Sequence, residues 1–119
     1  MPVANVDDLT GTGMPAQLAQ ELGGPVSKLT GVGTTQSGAA VVLSRNTELN
    51  PGGGTTAFVL PSSAKVMQSY MFNNQQSTTG TVFVPSGHTL NSVANASVTV
   101  AQFATAIVWQ YKPKNWTFK

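Results

Sequence analysis

The residues that could carry chemistry are few, and their spacing limits what they can do. His88 is the only histidine of the 119-residue chain, there is no cysteine, and the carboxylates are Asp7, Asp8, Glu21 and Glu48. His88 ends a Pro85-Ser86-Gly87-His88 turn, with Ser86 two residues before it. A nucleophile–base pair also needs an acid to orient the imidazole, and no Asp or Glu follows Glu48. Unless folding carries Glu48 to this turn, His88 reads as an exposed turn histidine. Glycoside hydrolysis needs two carboxyl groups held about 5–10 Å apart; Asp7 and Asp8 are adjacent in a polar stretch that positions nothing. Without cysteine there are no disulfides and no thiolate metal sites, and the remaining ligand types do not cluster. The GTG, GVG and GGG segments lack the Lys-Ser/Thr pair and long helix of a phosphate cradle, so they read as turns. The sequence predicts neither an enzyme nor a cofactor or metal.

A second class of chemistry is stacking. Trp109, Tyr111, Lys112, Lys114, Trp116 and Lys119 interleave aromatics with lysines, as single-strand nucleic-acid platforms do, and a small basic β-barrel could be OB-like. Against this, the net charge is only +2 and the pI of about 9.2 comes from few groups, a single arginine among them. Lysine stems over rings at a terminal hairpin are more often packing. Nucleic acid is therefore a minor alternative partner.

The elements that must position these residues are strands. Only 8% of the residues are charged, about a third of the usual share, so the surface is built from Ser, Thr, Asn, Gln and Gly and tolerates contact between copies. Residues 1–25 read as an arm with a short helix. Pro15 suits a first helical position, Met14, Leu18 and Leu22 recur every fourth residue, and Gly23-Gly24-Pro25 stops the pattern. Two turns are not stable alone, so that stripe must dock, on its own domain or on a neighbouring subunit. Residues 1–24 carry three acids and no base, a charge of −3, while residues 25–119 carry six bases and Glu48, a charge of +5. The segment MPVANVDD has neither the basic nor the apolar region of a secretory signal. The longest apolar run, Ala39–Leu43, is far short of a membrane span. A soluble protein with no membrane partner is expected.

Residues 26–119 predict one all-β domain of roughly eight short strands, an antiparallel jelly-roll-like sandwich or small barrel. Gly31 and Gly33 suggest a bulge or a close backbone approach. The clearest alternation is Lys65–Asn73, with Val66, Gln68, Tyr70 and Phe72 on one side and Met67, Ser69, Met71 and Asn73 on the other. Both sides are partly apolar, which predicts a central strand between the core and a second contact surface. No 34- or 40-residue repeat is visible.

The strings FVLPSS, NNQQ, TVFVPSGHTLNS and ANASVTVAQFATAIVWQY, with a tryptophan near the end, together resemble small virion proteins of tailed bacteriophages. GMPAQLAQELGG is similar to short anchor helices near the N-termini of phage head and tail appendage proteins. The resemblance implies a trimeric accessory protein, made in the host cytoplasm and bound to the capsid surface as a decoration (cement) protein that stabilises the shell. Its partners would be the major capsid protein and further copies of itself. A head-fibre or tail appendage module with receptor-binding loops is the alternative. The expected contact residues are Met14, Leu18 and Leu22 in the arm, and Trp109, Trp116 and Phe118 at the aromatic end.

Overall fold

The computed structural model describes residues 26–119, which form eleven strands. These are β1 (Ser27–Thr30), β2 (Ala40–Val41), β3 (Asn46–Asn50), β4 (Ala57–Val59), β5 (Ser69–Asn74), β6 (Gly80–Phe83), β7 (Thr89–Leu90), β8 (Val93–Ala94), β9 (Ser97–Val100), β10 (Thr105–Lys112) and β11 (Asn115–Phe118). They make two sheets, one of seven strands in the order β1-β3-β5-β10-β11-β7-β8 and one of four in the order β2-β4-β6-β9. The expected arm, its helix, and Met14, Leu18 and Leu22 lie outside the described residues.

In the first half of the chain each strand is followed by one on the opposite sheet. Neighbours within a sheet are therefore one full turn apart and run in the same direction. Thus β1, β3 and β5 are parallel, as are β2, β4 and β6. The result is a solenoid-like coil, where the sequence suggested antiparallel strands throughout. Ser27 sits opposite Thr47 and Thr47 opposite Phe72, so one turn takes 20 residues and the next 25. The turns differ because four residues, 42–45, link β2 to β3, whereas nine, 60–68, link β4 to β5. Unequal turns leave no fixed period for a sequence repeat to show.

The second half reverses direction and closes the coil. β9 lies antiparallel on β6, and β10 lies antiparallel on β5. β10 and β11 form a hairpin, and β7 and β8 form another around Asn91 and Ser92. Both turn residues have positive φ, 49° and 70°, as a two-residue turn matching strand twist requires.

The inner faces pack on one another. Phe58, Val82 and Val100 from the small sheet, with Val42, Leu60 and Val84 just after its strands, share one core with Leu49, Tyr70, Phe72, Val108 and Trp116 from the large sheet. The thin dimension of the domain is 20 Å, which suits two sheets stacked about 10 Å apart with side chains on the outer faces. Glycine permits one close approach. A Cβ on Gly31 would lie 2.0 Å from the Thr55 carbonyl oxygen, so here the glycine serves backbone contact just after β1 and not a bulge within a strand.

Buried polar groups tie the sheets together. Asn74 is fully buried at the end of β5. Its Nδ2 donates to the carbonyls of Thr78 and Val100, each at 2.8 Å, and its Oδ1 accepts from the Gln76 amide at 2.8 Å. One side chain thereby shapes the β5–β6 loop and links it to β9. Gln110, also buried, donates to the Ala64 carbonyl at 2.8 Å and accepts from the Lys114 amide at 2.7 Å. No buried side-chain nitrogen or oxygen among the described residues lacks a partner.

Candidate interaction face

The large sheet has a second, outward face, built mainly by its two central strands. In β5 the side chains of Tyr70, Phe72 and Asn74 are buried while Ser69, Met71 and Asn73 are half-buried. In β10 Ala106, Val108 and Gln110 are buried while Ile107 and Trp109 are half-buried. The smaller residues of β10 thus face the core and the larger ones face out. Register places Met71 beside Ile107, Ser69 beside Trp109, and Asn73 beside Thr105. On the far side Trp109 is opposite Thr117.

The outcome is an apolar strip of Met71, Ile107 and Trp109 rimmed by hydroxyls and amides. The rim is ordered by its own hydrogen bonds. Asn73 Nδ2 donates to Thr105 Oγ1 at 3.0 Å, Gln75 Nε2 donates to Asn73 Oδ1 at 2.7 Å, and Thr117 Oγ1 donates to Asn91 Oδ1 at 2.7 Å. Charge enters beside the strip at Lys119, which pairs with Ile107 through backbone bonds of 3.1 and 2.8 Å, and at the margin, where Lys28 Nζ lies 3.7 Å from Glu48 Oε2. Such an exposed pair contributes little. Glu48 pairs in register with Asn73, so it borders this face.

Of the aromatic contacts expected from sequence, the fold separates one from the others. Trp109 lies at the centre of the outward face. Phe118, 39% exposed, is opposite Val108 near the end of β11. Trp116 has no accessible surface, so it belongs to the core and cannot touch a partner or offer a stacking platform. Its ring lies 6.1 Å from that of Tyr70. Lys112 Nζ sits 5.8 Å from the centroid of the Tyr111 ring, the packing arrangement of a lysine over an aromatic.

His88 is likewise corrected. It is buried, not exposed, and Trp116 Nε1 donates to its Nδ1 at 3.0 Å. Burial, with the nearby Lys114 charge, holds its pKa below the usual histidine value. The turn therefore serves packing: the His88 amide donates to the Pro85 carbonyl at 3.0 Å, and Ser86 is exposed beside it. Burial also raises the Tyr70 pKa, against the opposing charge of Arg45. The Arg45 guanidinium stands 5.4 Å from the Tyr70 ring centroid, and its Nε donates to the Ser69 carbonyl.

Met71 and Ile107 were not among the contact residues chosen from sequence. The available signal was the two-sided apolar character of the Lys65–Asn73 stretch, but only its second half is strand: β5 starts at Ser69, and residues 65–68 form a turn, closed by the Gln68 amide on the Lys65 carbonyl, in which Met67 has a φ of 67°. No protein-family model matches the chain, and no similar curated protein was found. Among the described residues no group of histidines, cysteines and carboxylates could hold a metal ion, and no helix is long and apolar enough to cross a membrane.

Proposed function

We propose that this protein is a structural component of a tailed-phage virion, a capsid decoration protein that docks on the major capsid protein through the outer face of its large sheet. The observation that carries the docking reading is the Met71–Ile107–Trp109 strip, held on the two central strands of a sheet. Tryptophan, methionine and other large apolar groups ringed by polar residues match the anatomy of protein interfaces. Backbone pairing fixes the strip before contact, so little ordering entropy is lost on binding. The lysine beside Ile107, Lys119, is exposed and can keep its charge in water, which limits the desolvation cost.

The phage assignment rests on the sequence resemblance, and the homotrimer belongs with it. Stabilisation of a shell then follows from linkage: a protein that binds the assembled capsid and not free subunits shifts the equilibrium toward assembly. A head-fibre or tail appendage is favoured by a different feature, the β5–β6 loop, where Gln75, Ser77 and Thr79 expose polar side chains suited to sugars.

The test uses phage heads lacking the protein, mixed with purified wild type or an Ile107→Asp variant and pelleted. Wild type should co-sediment and the variant should stay in the supernatant with unchanged circular dichroism. Equal binding by both would remove the outer face from the contact. Gold labelling of intact particles separates the two locations, since label over the head supports decoration and label at the tail or a fibre supports the appendage.

A further inference from the structure

His88 and Trp116 meet at one margin of the large sheet. β7 and β8 are its last two strands, each two residues long, and β7 pairs with β11 over only two positions, Thr89 with Asn115 and Leu90 with Trp116. The hairpin closes around these two side chains' own backbones: the Asn95 amide donates to the His88 carbonyl at 2.9 Å, and the Asn91 amide donates to the Trp116 carbonyl at 2.9 Å. Its conformation is a strained one. Six described non-glycine residues have positive φ, and four of them, Asn91, Ser92, Asn95 and Lys114, lie in this hairpin or beside it. Asparagine tolerates that region, but serine and lysine hold it only where their surroundings fix them.

The bond between the two rings tolerates one protonation state. An indole N–H can only donate, so Nδ1 of His88, 3.0 Å from Trp116 Nε1, is the acceptor, and the neutral imidazole carries its proton on Nε2. A second proton would go to Nδ1 and set two donors against each other. Nothing around the ring offsets it. The charge that acts on His88 is that of Lys114, in the turn before β11, and it opposes a second cation. Lys112 of β10 stands over the Tyr111 ring, and Tyr70, behind Trp116, has its pKa raised and stays neutral. β8 and residues 85–87 carry no titratable side chain. Glu48, the only carboxylate side chain among the described residues, is separated from β7 by β5, β10 and β11, about 19 Å at the usual strand spacing.

We propose that His88 and Trp116 form an acid-operated latch: a proton on Nδ1 of His88 breaks the bond between the rings and frees the β7–β8 hairpin, while the rest of both sheets stays paired. Neutral His88 closes the latch, so it is shut above the ordinary histidine value of about 6.5 and opens as the pH falls toward the lower folded value. Release is local because the hairpin gives little to the core. Leu90 is its one member of the buried cluster, and Val93 is already 59% exposed. Opening leaves β11 as the edge of the large sheet, an unpaired strand able to accept another segment. The latch is separate from the proposed capsid contact, which lies on the outer side of β5 and β10.

The test is hydrogen exchange on the full chain at about pH 7.5 and about pH 5, on either side of the histidine range, read as protection factors so that the intrinsic pH dependence of exchange drops out. In wild type the amides of Asn91 and Asn95 should lose about ten-fold or more of their protection at the lower pH, while β5, β6 and β10 keep theirs. His88→Gln, which takes up no proton, should show no such loss. A second measurement needs no variant: imidazole nitrogen shifts of wild type should place the proton on Nε2 at neutral pH, with Nδ1 protonating in step with the loss of protection. An Nδ1–H tautomer at neutral pH would overturn the inference. So would hairpin amides equally protected at both pH values, a loss spread evenly over both sheets, or an equal loss in His88→Gln.

Discussion

Replacing Asn74 with leucine isolates the polar clamp from packing, because the two side chains are similar in volume. The substitution removes three hydrogen bonds at once. The bond to the Val100 carbonyl is buried, while those involving Thr78 and Gln76 are partly buried. Stranding a buried carbonyl costs about 1–3 kcal/mol, and each bond that water can replace contributes nearer 0.5–1 kcal/mol. The total loss should be about 3–4 kcal/mol, less what the added apolar group recovers. For a domain of this size that corresponds to a fall in Tm of roughly 15–25 °C. Thermal unfolding followed by circular dichroism measures it, with Asn73→Leu as the control. Asn73 is the adjacent residue but faces outward, so its loss should cost only about 0.5 kcal/mol. An Asn74→Leu variant within about 1 kcal/mol of wild type would refute the view that this residue ties β9 to the β5–β6 loop.

Trp109→Ala should leave folding nearly intact while weakening capsid binding about 30-fold, the loss of about 2 kcal/mol typical of a central interface tryptophan; titration by fluorescence or sedimentation reads this, and unchanged affinity would remove Trp109 from the contact. Lowering the pH should destabilise the fold through His88. Its folded pKa is depressed, so its contribution is complete above the unfolded value of about 6.5 and is lost as pH falls toward the folded pKa. As the only histidine, it should account for the slope between pH 5 and 7, at most about 1.4 kcal/mol per pH unit for one proton. Urea unfolding of wild type and His88→Gln across that range should show a slope only in wild type. Gly31→Ala should cost about 1–3 kcal/mol by overpacking, because the new methyl meets the Thr55 carbonyl at 2.0 Å; a wild-type Tm would contradict that backbone approach.

The class of the fold was legible because alternation reports faces. Tyr70 and Phe72 share one side in the sequence pattern, and both are buried on the inner side of β5. Strand direction was not legible, because a period of two is the same in parallel and antiparallel sheets. Direction here depends on β2, two residues long, sending the chain back across the slab. Such a short element carries almost no pattern. His88 was misplaced because its turn composition suggests exposure, whereas its burial depends on Trp116, 28 residues later in the chain. Trp116 was misplaced for the same reason. Its indole N–H is satisfied internally by His88.

The two tryptophans show how one hairpin supplies both the core and the outer face of the sheet. Trp109 and Trp116 belong to paired strands, yet register sets Trp109 opposite Thr117 and Gln110 opposite Trp116. One position of offset therefore sends one ring outward and the other inward. A one-residue slip of β11 would expose Trp116, break its bond to His88 and bring Thr117 into the core. The Gln110 side chain opposes that slip. By bonding both the Ala64 carbonyl and the Lys114 amide, it joins the hairpin turn to the segment before β5. Residues that lie off the outer face thus determine that Trp109 is presented on it.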